Sequence, residues 1–324
     1  MPLMTQFPDH DPLSEVLQAV SLRSVVFCRC ELRAPWGFQV PQREKTGFHV
    51  ITAGRCRLEM NDPPTEVEVE AGDLLLFPHG HGHVMCDPPA ARTIPFEEAL
   101  RENPLDAQRV FRYGGAGTLT ALLCGEFILE DRRCNPLLAS LPPLILIRGR
   151  DGDTVPWLRV TLDHVREEAQ SMSLGAEAVL TQLANVLFIQ SLRAYFNSTN
   201  GAGPGWVAGL KDPQVGAALS LMHHRYSEHW TVESLAREVA MSRSAFSEKF
   251  KSLVGEPPLT YLSRWRLYSA ARLLHSSDAK LGQVARRVGY RSEVAFHRAF
   301  KRALGTSPGE YRQQVRHANG HPGA

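Results

Sequence analysis

Leu235-Ala236-Arg237-Glu238-Val239 is echoed about fifty residues later by Val284-Ala285-Arg286-Arg287-Val288, and Phe246-x-x-x-Phe250-Lys251 by Phe296-x-x-x-Phe300-Lys301. The echo runs on through Gly255 and Gly305, Pro258 and Pro308, Tyr261 and Tyr311, with one extra residue in the turn of the second copy. A repeat this long marks a duplicated structural unit. In the first copy Thr231 is placed to cap a helix carrying Val232, Leu235, Ala236 and Val239. Ser242 is placed to cap a second, with Ala245, Phe246, Lys249, Phe250 and Leu253, before Gly255 stops it. In the second copy Val284, Ala285 and Val288 mark the first helix, Gly289-Tyr290 the turn, and Ser292 the start of a helix running to about Leu304. Two short helices about a tight turn make a helix-turn-helix, whose second helix fits the DNA major groove; packed helical hairpins have the same pattern.

Charge separates the two readings. Residues 212–324 carry 17 Lys and Arg against 9 Asp and Glu, while the other 211 residues carry 19 against 25. The duplicated unit is thus net +8 in a chain that is +2 overall, the sign that attraction to phosphate requires.

With these features, the stretch from Trp230-Thr-Val-Glu-Ser-Leu-Ala to Pro308-Gly-Glu-Tyr-Arg resembles the DNA-binding domain of the AraC/XylS family of bacterial transcription regulators, over about residues 213–316. The resemblance implies two recognition helices held by a linker helix, here about Leu259 to His275, entering successive major-groove segments of double-stranded promoter DNA one helical turn, ~34 Å, apart. It also implies contact with RNA polymerase and favours activation over repression.

Helical spacing puts Phe246, Phe250 and Leu253 toward the core and leaves Arg243, Ser244, Ser247, Glu248 and Lys251 on or beside the opposite face. In the second copy Phe296, Phe300 and Leu304 form the core stripe, leaving Glu293, Val294, His297, Arg298, Lys301 and Arg302 outward. Ser244, Ser247 and Glu248 are candidates for base edges, Glu248 by accepting from a cytosine N4. Arg298 is placed to grip guanine O6 and N7 together. Lys251 and Lys301 are expected on phosphate. Each of these residues also reads as an ordinary solvated helix position.

At 324 residues there is room for two domains. We expect an α+β multidomain chain. Residues 1–150 read as a sensor domain, 151–197 as a helical and dimerising region, 198–212 as a linker, 213–316 as the all-α double helix-turn-helix, and 317–324 as a tail. The glycine-rich run Asn197 to Gly205 marks the linker. Before it, the segments from Trp157 and from Val179 read as two helices split at Ser173-Leu174-Gly175. The second is apolar around most of its circumference and needs partners on more than one side, whether another subunit or the amino-terminal domain.

Residues 20–147 read as all-β. Val26, Cys28, Cys30 and Leu32 alternate with Phe27, Arg29 and Glu31; Cys56, Leu58 and Met60 with Arg55, Arg57 and Glu59; Val67 and Val69 with Glu66, Glu68 and Glu70. Turns at Gly54, Asn61 to Pro64 and Gly72-Asp73 separate these runs, as in a sandwich or jelly roll. Gly72-x5-Pro78-x-Gly80-x2-His83 resembles the second motif of cupins, with Asp87 where that family has Asn. This implies a cupin-like jelly-roll sensor. In enzymatic cupins that histidine joins two others and a carboxylate on a metal. Here the earlier region, Thr46 to Thr52, offers His49 and no His-x-His, which argues against the rival reading of a cupin metalloenzyme with a DNA-binding appendage.

His79, His81 and His83 nevertheless cluster. His81 and His83 share a face of an extended segment, so with His49 they are candidate ligands for a divalent Zn, Cu or Ni ion; an exposed loop cluster is the plain alternative. The six cysteines, Cys28, Cys30, Cys56, Cys86, Cys124 and Cys134, all lie in the amino-terminal half. Buried cysteine commonly acts as a small hydrophobe. Yet a cysteine-free DNA module joined to a β domain holding all six is what thiol sensing requires, and Cys30 and Cys124 are the candidate redox pair, with Arg29 a candidate source of a lowered pKa. Without a signal peptide or membrane span, the expectation is a cytoplasmic homodimeric regulator answering a small-molecule, redox or metal signal, with no membrane partner.

Overall fold

The computed structural model describes residues 22–88, 92–129, 135, 138, 140–149, 156–171, 173–198 and 206–319. Cys134, the start of the sensor region before residue 22 and most of the glycine-rich linker lie outside the described residues. The described residues fall into two compact units, those within 22–129 and 141–198 and those within 206–319.

In the first unit the alternating runs become strands: β1 (Leu22–Arg33), β2 (Gly37–Val40), β3 (Thr46–Ala53), β4 (Arg55–Asn61), β5 (Pro64–Glu70), β6 (Leu74–Phe77), β7 (His83–Cys86), β8 (Ile94–Pro95), β9 (Val110–Gly114), β10 (Leu119–Leu129) and β11 (Ile145–Ile147). They form a six-stranded sheet in the order β11-β6-β3-β10-β1-β9 and a five-stranded sheet in the order β5-β4-β7-β2-β8. The period-2 alternation decides which face is buried: Cys56, Leu58 and Met60 point inward from β4 while Arg55 and Asn61 are exposed. Residues from both sheets share one core, including Leu32, Phe38, Leu58, Phe77 and Leu122. The cupin-like turn has the shape its glycines require. Gly80 sits at φ 68, and a Cβ there would fall 2.1 Å from the Arg43 carbonyl oxygen, so only glycine fits. The region is not purely β, because a short helix, α1 (Phe96–Glu102), follows β8 and adds Phe96, Ala99 and Leu100 to the core.

Two helices complete the unit, α2 (Pro156–Ser171) and α3 (Ala176–Ser198), split at Gly175 with φ 90. The β domain itself supplies one partner for the apolar α3. Phe188 packs on Phe127 with ring centroids 4.8 Å apart, and Phe127 on Phe48, also at 4.8 Å.

The second unit is helical: α4 (Trp206–Lys211), α5 (Pro213–His224), α6 (Val232–Glu238), α7 (Arg243–Val254), α8 (Pro258–Ser276), α9 (Leu281–Arg287), α10 (Glu293–Leu304) and α11 (Pro308–Asn319). Residues 206–211, expected as linker, are helix, and Gly209 lies so close to Val215, Leu219 and Val254 that a side chain there would clash. Among the described residues no helix is long and apolar enough to cross a membrane.

Candidate functional site

The repeat in sequence is a repeat in geometry. Thr231 caps α6, its Oγ1 accepting from Ser234 N at 3.0 Å, and Ser242 and Ser292 cap α7 and α10 by accepting from Ala245 N and Ala295 N. Both first helices end in the same pair of hydrogen bonds: Ala240 N to Arg237 O and Met241 N to Ala236 O, then Gly289 N to Arg286 O and Tyr290 N to Ala285 O. This turn holds its central residue at positive φ, 52 at Ala240 and 83 at Gly289. Both second helices stop at a left-handed glycine, Gly255 at φ 89 and Gly305 at φ 78. The extra residue of the second copy falls between Tyr290 and Ser292.

Phe246 and Phe250 are fully buried with centroids 5.6 Å apart, as are Phe296 and Phe300 at 5.5 Å. Leu304 completes the second stripe, but in the first Val254 takes the place expected of Leu253, which is only half-buried. A stripe on a 3.6-residue period drifts, and in α7 the next position after Phe250 falls at i+4 rather than i+3. The opposite faces carry the expected residues. Arg243, Ser244, Glu248 and Lys251 are exposed and Ser247 is half-buried on α7; Glu293, Val294, His297, Arg298, Lys301 and Arg302 are all exposed on α10. Val294, 60% exposed, is a branched apolar side chain presented to solvent, a placement suited to a thymine methyl. Lys249 serves the fold instead. Its Nζ lies 2.7 Å from Asp212 Oδ2 and 3.0 Å from Gln214 Oε1, tying α7 to the residue that caps α5.

The β domain holds a partly open cavity of about 240 Å³, walled mainly by apolar side chains such as Leu32, Phe38, Met85, Phe96 and Leu122. One wall is chemically different. Strands β3, β10 and β1 are adjacent, and their registers set His49 opposite Cys124 and Cys124 opposite Cys28. Cys30 Sγ lies 3.6 Å from Cys28 Sγ and 3.8 Å from Cys124 Sγ. Cys124 Sγ lies 3.1 Å from His49 Nδ1, and His49 Nε2 lies 2.9 Å from His83 Nε2, contributed by the facing sheet. His83 stacks on Phe77 at 4.0 Å and its Nδ1 donates to the His81 carbonyl at 3.0 Å.

Hydrogen bonds from Cys124 and Cys30, with the charge of Arg109 added and burial opposing, bring the Cys28 thiol down to about 4. Cys30, despite the hydrogen bond it receives from Cys124, is pushed up by its bond to Cys28 and by burial; Cys124 is pushed up by its bonds to Cys28 and Cys30 and by burial. Cys28 is therefore the most acidic thiol of the cluster. The sequence pointed to Cys30 and Cys124 and missed Cys28, although its i, i+2 spacing from Cys30 was the available signal. Arg29 does not supply the charge, because alternation sends it to the other face of β1, where it pairs with Glu31 at 2.6 Å. Burial drives His49 well below its ordinary value and His83 down to about 4, so both imidazoles are neutral at neutral pH.

Of the three candidate metal ligands, His49 and His83 come together, while the ring of His81 contacts His79 instead, at 5.7 Å. The wall carboxylates Glu97 and Glu126 are bonded to Arg43 at 2.6 and 3.3 Å. Two imidazoles and no free carboxylate do not fit the three-histidine, one-carboxylate set of metal-holding cupins, and among the described residues no group of three or more ligands is arranged for a metal ion.

A jelly-roll cavity on one unit and a duplicated helix-turn-helix on the other define a sequence-specific DNA-binding transcriptional regulator rather than an enzyme. A cupin family model matches residues 11–197 and a helix-turn-helix domain model residues 235–314. The chain is 32% identical to the HTH-type transcriptional regulator AlkR of Acinetobacter baylyi over 311 residues, covering 94% of this chain and 99% of AlkR. It is 28% identical to the RCS-specific HTH-type transcriptional activator RclR of Escherichia coli over 312 residues, covering 94% and 98%. Among solved structures it is similar to the DNA-binding domain of AdpA in complex with a target DNA, at 38% identity over 35% of this chain and all of that one, with a TM-score of 0.33. It is 31% identical over 313 residues to a putative AraC-like transcription regulator of Streptomyces lividans, covering 94% of this chain and 98% of that one, and the chain belongs to the AraC family of helix-turn-helix transcriptional regulators, with an amino-terminal cupin domain.

Proposed function

We propose that this regulator activates transcription in the cytoplasm as a homodimer, contacting RNA polymerase from its promoter site, and that the thiol cluster of the β domain receives the signal. The observation that carries the signal assignment is the contact of Cys30 with both Cys28 and Cys124 beside a cavity. A peroxide-type oxidant supplies the chemistry. The Cys28 thiolate attacks one peroxide oxygen, the O–O bond breaks and hydroxide leaves, giving a sulfenic acid; a neighbouring thiol, Cys30 or Cys124, then displaces water to form a disulfide. A bond to Cys124 would link β1 to β10, and one to Cys30 would bend β1 itself; α3 rests on this sheet. Dimerisation is supported by Val179 and Val186, seven residues apart on α3 and 44% and 41% exposed, a helical seam left uncovered within one chain.

The test is binding to DNA selected from a random pool, and transcription from it with RNA polymerase, using reduced and peroxide-treated protein at one salt concentration. A changed affinity or transcript yield that Cys124→Ser or Cys30→Ser removes supports the reading. Identical behaviour of reduced protein and protein shown by mass to carry the disulfide sinks it.

A further inference from the structure

We infer that Arg266 is a positioning residue for DNA recognition: its guanidinium seats the turn of the second helix-turn-helix on a loop of the first, and so sets how far apart two major-groove segments must lie to be read together. The inference concerns the DNA-binding unit alone and does not rest on the thiol reading.

The linker helix α8 joins the two modules and turns a different face to each. Tyr261 and Trp265 point into the first: Tyr261 Oη lies 2.7 Å from His223 Nε2, the Tyr261 ring lies edge-on to Phe250 at 5.9 Å, and Trp265 stacks on His223 at 3.9 Å. Ser263 and Arg266 share another face and serve the second. Ser263 Oγ lies 3.3 Å from Tyr290 Oη, and the Tyr290 ring packs at 5.6 Å on Phe296, the first core phenylalanine of α10. Arg266 reaches both modules. Its Nε donates to the Tyr226 carbonyl and its Nη2 to the Glu228 carbonyl, each at 2.6 Å, in the loop that leads into α6. Gly289 lies against the same guanidinium, since a Cβ there would fall 3.0 Å from Cζ and Nη2 of Arg266 and 2.7 Å from the Ser227 carbonyl oxygen.

Two observations separate this seat from ordinary packing. Ala240 holds the equivalent turn of the first module with a side chain, at φ 52, so the turn alone does not demand glycine; the close approach to Arg266 does. Arg266 is also half-buried, and burial lowers its pKa, yet its hydrogen bonds go to neutral carbonyls while the Glu228 carboxylate is taken by Arg225 at 2.7 Å. A neutral side chain would avoid that desolvation, whereas a planar guanidinium holds two carbonyls at once and leaves a flat face for a backbone to lie on. The seat lies just ahead of two helix starts. Thr231, the cap of α6, follows Glu228 closely, and Ser292, the cap of α10, follows Gly289. Pinning Gly289 to the loop therefore fixes the start of the second recognition helix against the first module. One base pair moves a half-site by ~3.4 Å and about a tenth of a turn, a step that pinned modules cannot follow.

The test uses the reduced full-length protein and a duplex selected from a random pool, alongside the same duplex with one base pair inserted or deleted between the two protected major-groove segments, at one salt concentration. Wild type is expected to lose about 30-fold in affinity on either change, because one module then misses its base edges. Arg266→Ala is expected to bind the selected duplex about tenfold more weakly yet to lose only about threefold on either change, since modules freed from the seat can follow the DNA. A purely structural role would weaken all three duplexes by one factor and leave the spacing ratio at its wild-type value; that result overturns the proposal, and so does a wild type indifferent to spacing. Circular dichroism and the footprint on the selected duplex report whether both modules of the variant are folded. If the alanine variant does not fold, Arg266→Lys is read in its place. It keeps the charge and the stem but cannot hold both carbonyls in one plane, and its spacing ratio is expected to fall at least about threefold below the wild type's. An unchanged ratio there overturns the proposal.

Discussion

The Nε2 atoms of His49 and His83 lie 2.9 Å apart, and the proton between them belongs to His49. His83 Nδ1 donates to the His81 carbonyl, which can only accept, so the neutral His83 must accept at Nε2. His49 therefore donates from Nε2 and keeps Nδ1 as an acceptor, 3.1 Å from the Cys124 sulfur. A single backbone carbonyl thus fixes both tautomers.

Beside this pair Cys28, brought down to about 4 by hydrogen bonding to Cys124 and Cys30, is the most acidic thiol and the one expected to react first. At pH 6, limited treatment with iodoacetamide is expected to label Cys28 before Cys30, Cys56 and Cys124, as read by peptide mass mapping. Cys56 is pushed up to about 12 by burial and serves as the internal reference. First labelling of Cys124 would reject the assignment.

Arg298 and Lys301 are both exposed on α10 but are expected to differ in kind. Arg298→Ala should cost about 1–3 kcal/mol on the selected site and relax preference at one base pair, the signature of lost base readout. Lys301→Ala should weaken all sequences nearly uniformly and lower the salt slope by about one. Binding to a panel of single-base variants at several salt concentrations separates the two outcomes.

Gly289 and Ala240 occupy the same position in the two modules yet are not interchangeable. At Gly289 a Cβ would lie 2.7 Å from the Ser227 carbonyl oxygen and 3.0 Å from the Arg266 guanidinium, which is held by the carbonyls of Tyr226 and Glu228 at 2.6 Å each. Gly289→Ala is expected to destabilise the helical unit by about 1–3 kcal/mol. Ala240→Gly should be neutral or stabilise it by up to about 1 kcal/mol, because alanine already carries a left-handed backbone there. Urea melts of the two variants followed by tryptophan fluorescence give the comparison.

His223 adds an acid limit to the helical unit. It stacks on Trp265 at 3.9 Å, its Nε2 lies 2.7 Å from Tyr261 Oη, and burial brings it down to about 3. Its folded value lies below the unfolded one of 6.5, so between the two the unfolded chain binds the proton and the folded chain does not. Stability should be level above pH 6.5 and fall as pH drops toward 3, by on the order of 1 kcal/mol per unit. His223→Gln should flatten that slope in denaturation series from pH 7 to pH 5; an unchanged slope would assign the acid sensitivity elsewhere.

The caps at Thr231, Ser242 and Ser292, the glycine stops and the phenylalanine stripes were readable because each is a local device, set by residues three or four apart. The strand alternation of β4 and β5 was readable for the same reason. Leu253, the helix at residues 206–211 and the short helix α1 escaped because packing partners decide them: Gly209 is recruited by Val215, Leu219 and Val254.

The sequence alone determined the duplicated DNA-binding unit, its basic charge and the β character of the sensor, since periodicity and composition carry that information residue by residue. Only the tertiary structure decided that Cys28, Cys124 and His49 stand side by side and that His83 meets them from the facing sheet. The reason is register: side chains from positions up to 96 residues apart are brought to one wall by pairing between strands, and no local pattern states which residue of one strand will face which residue of another.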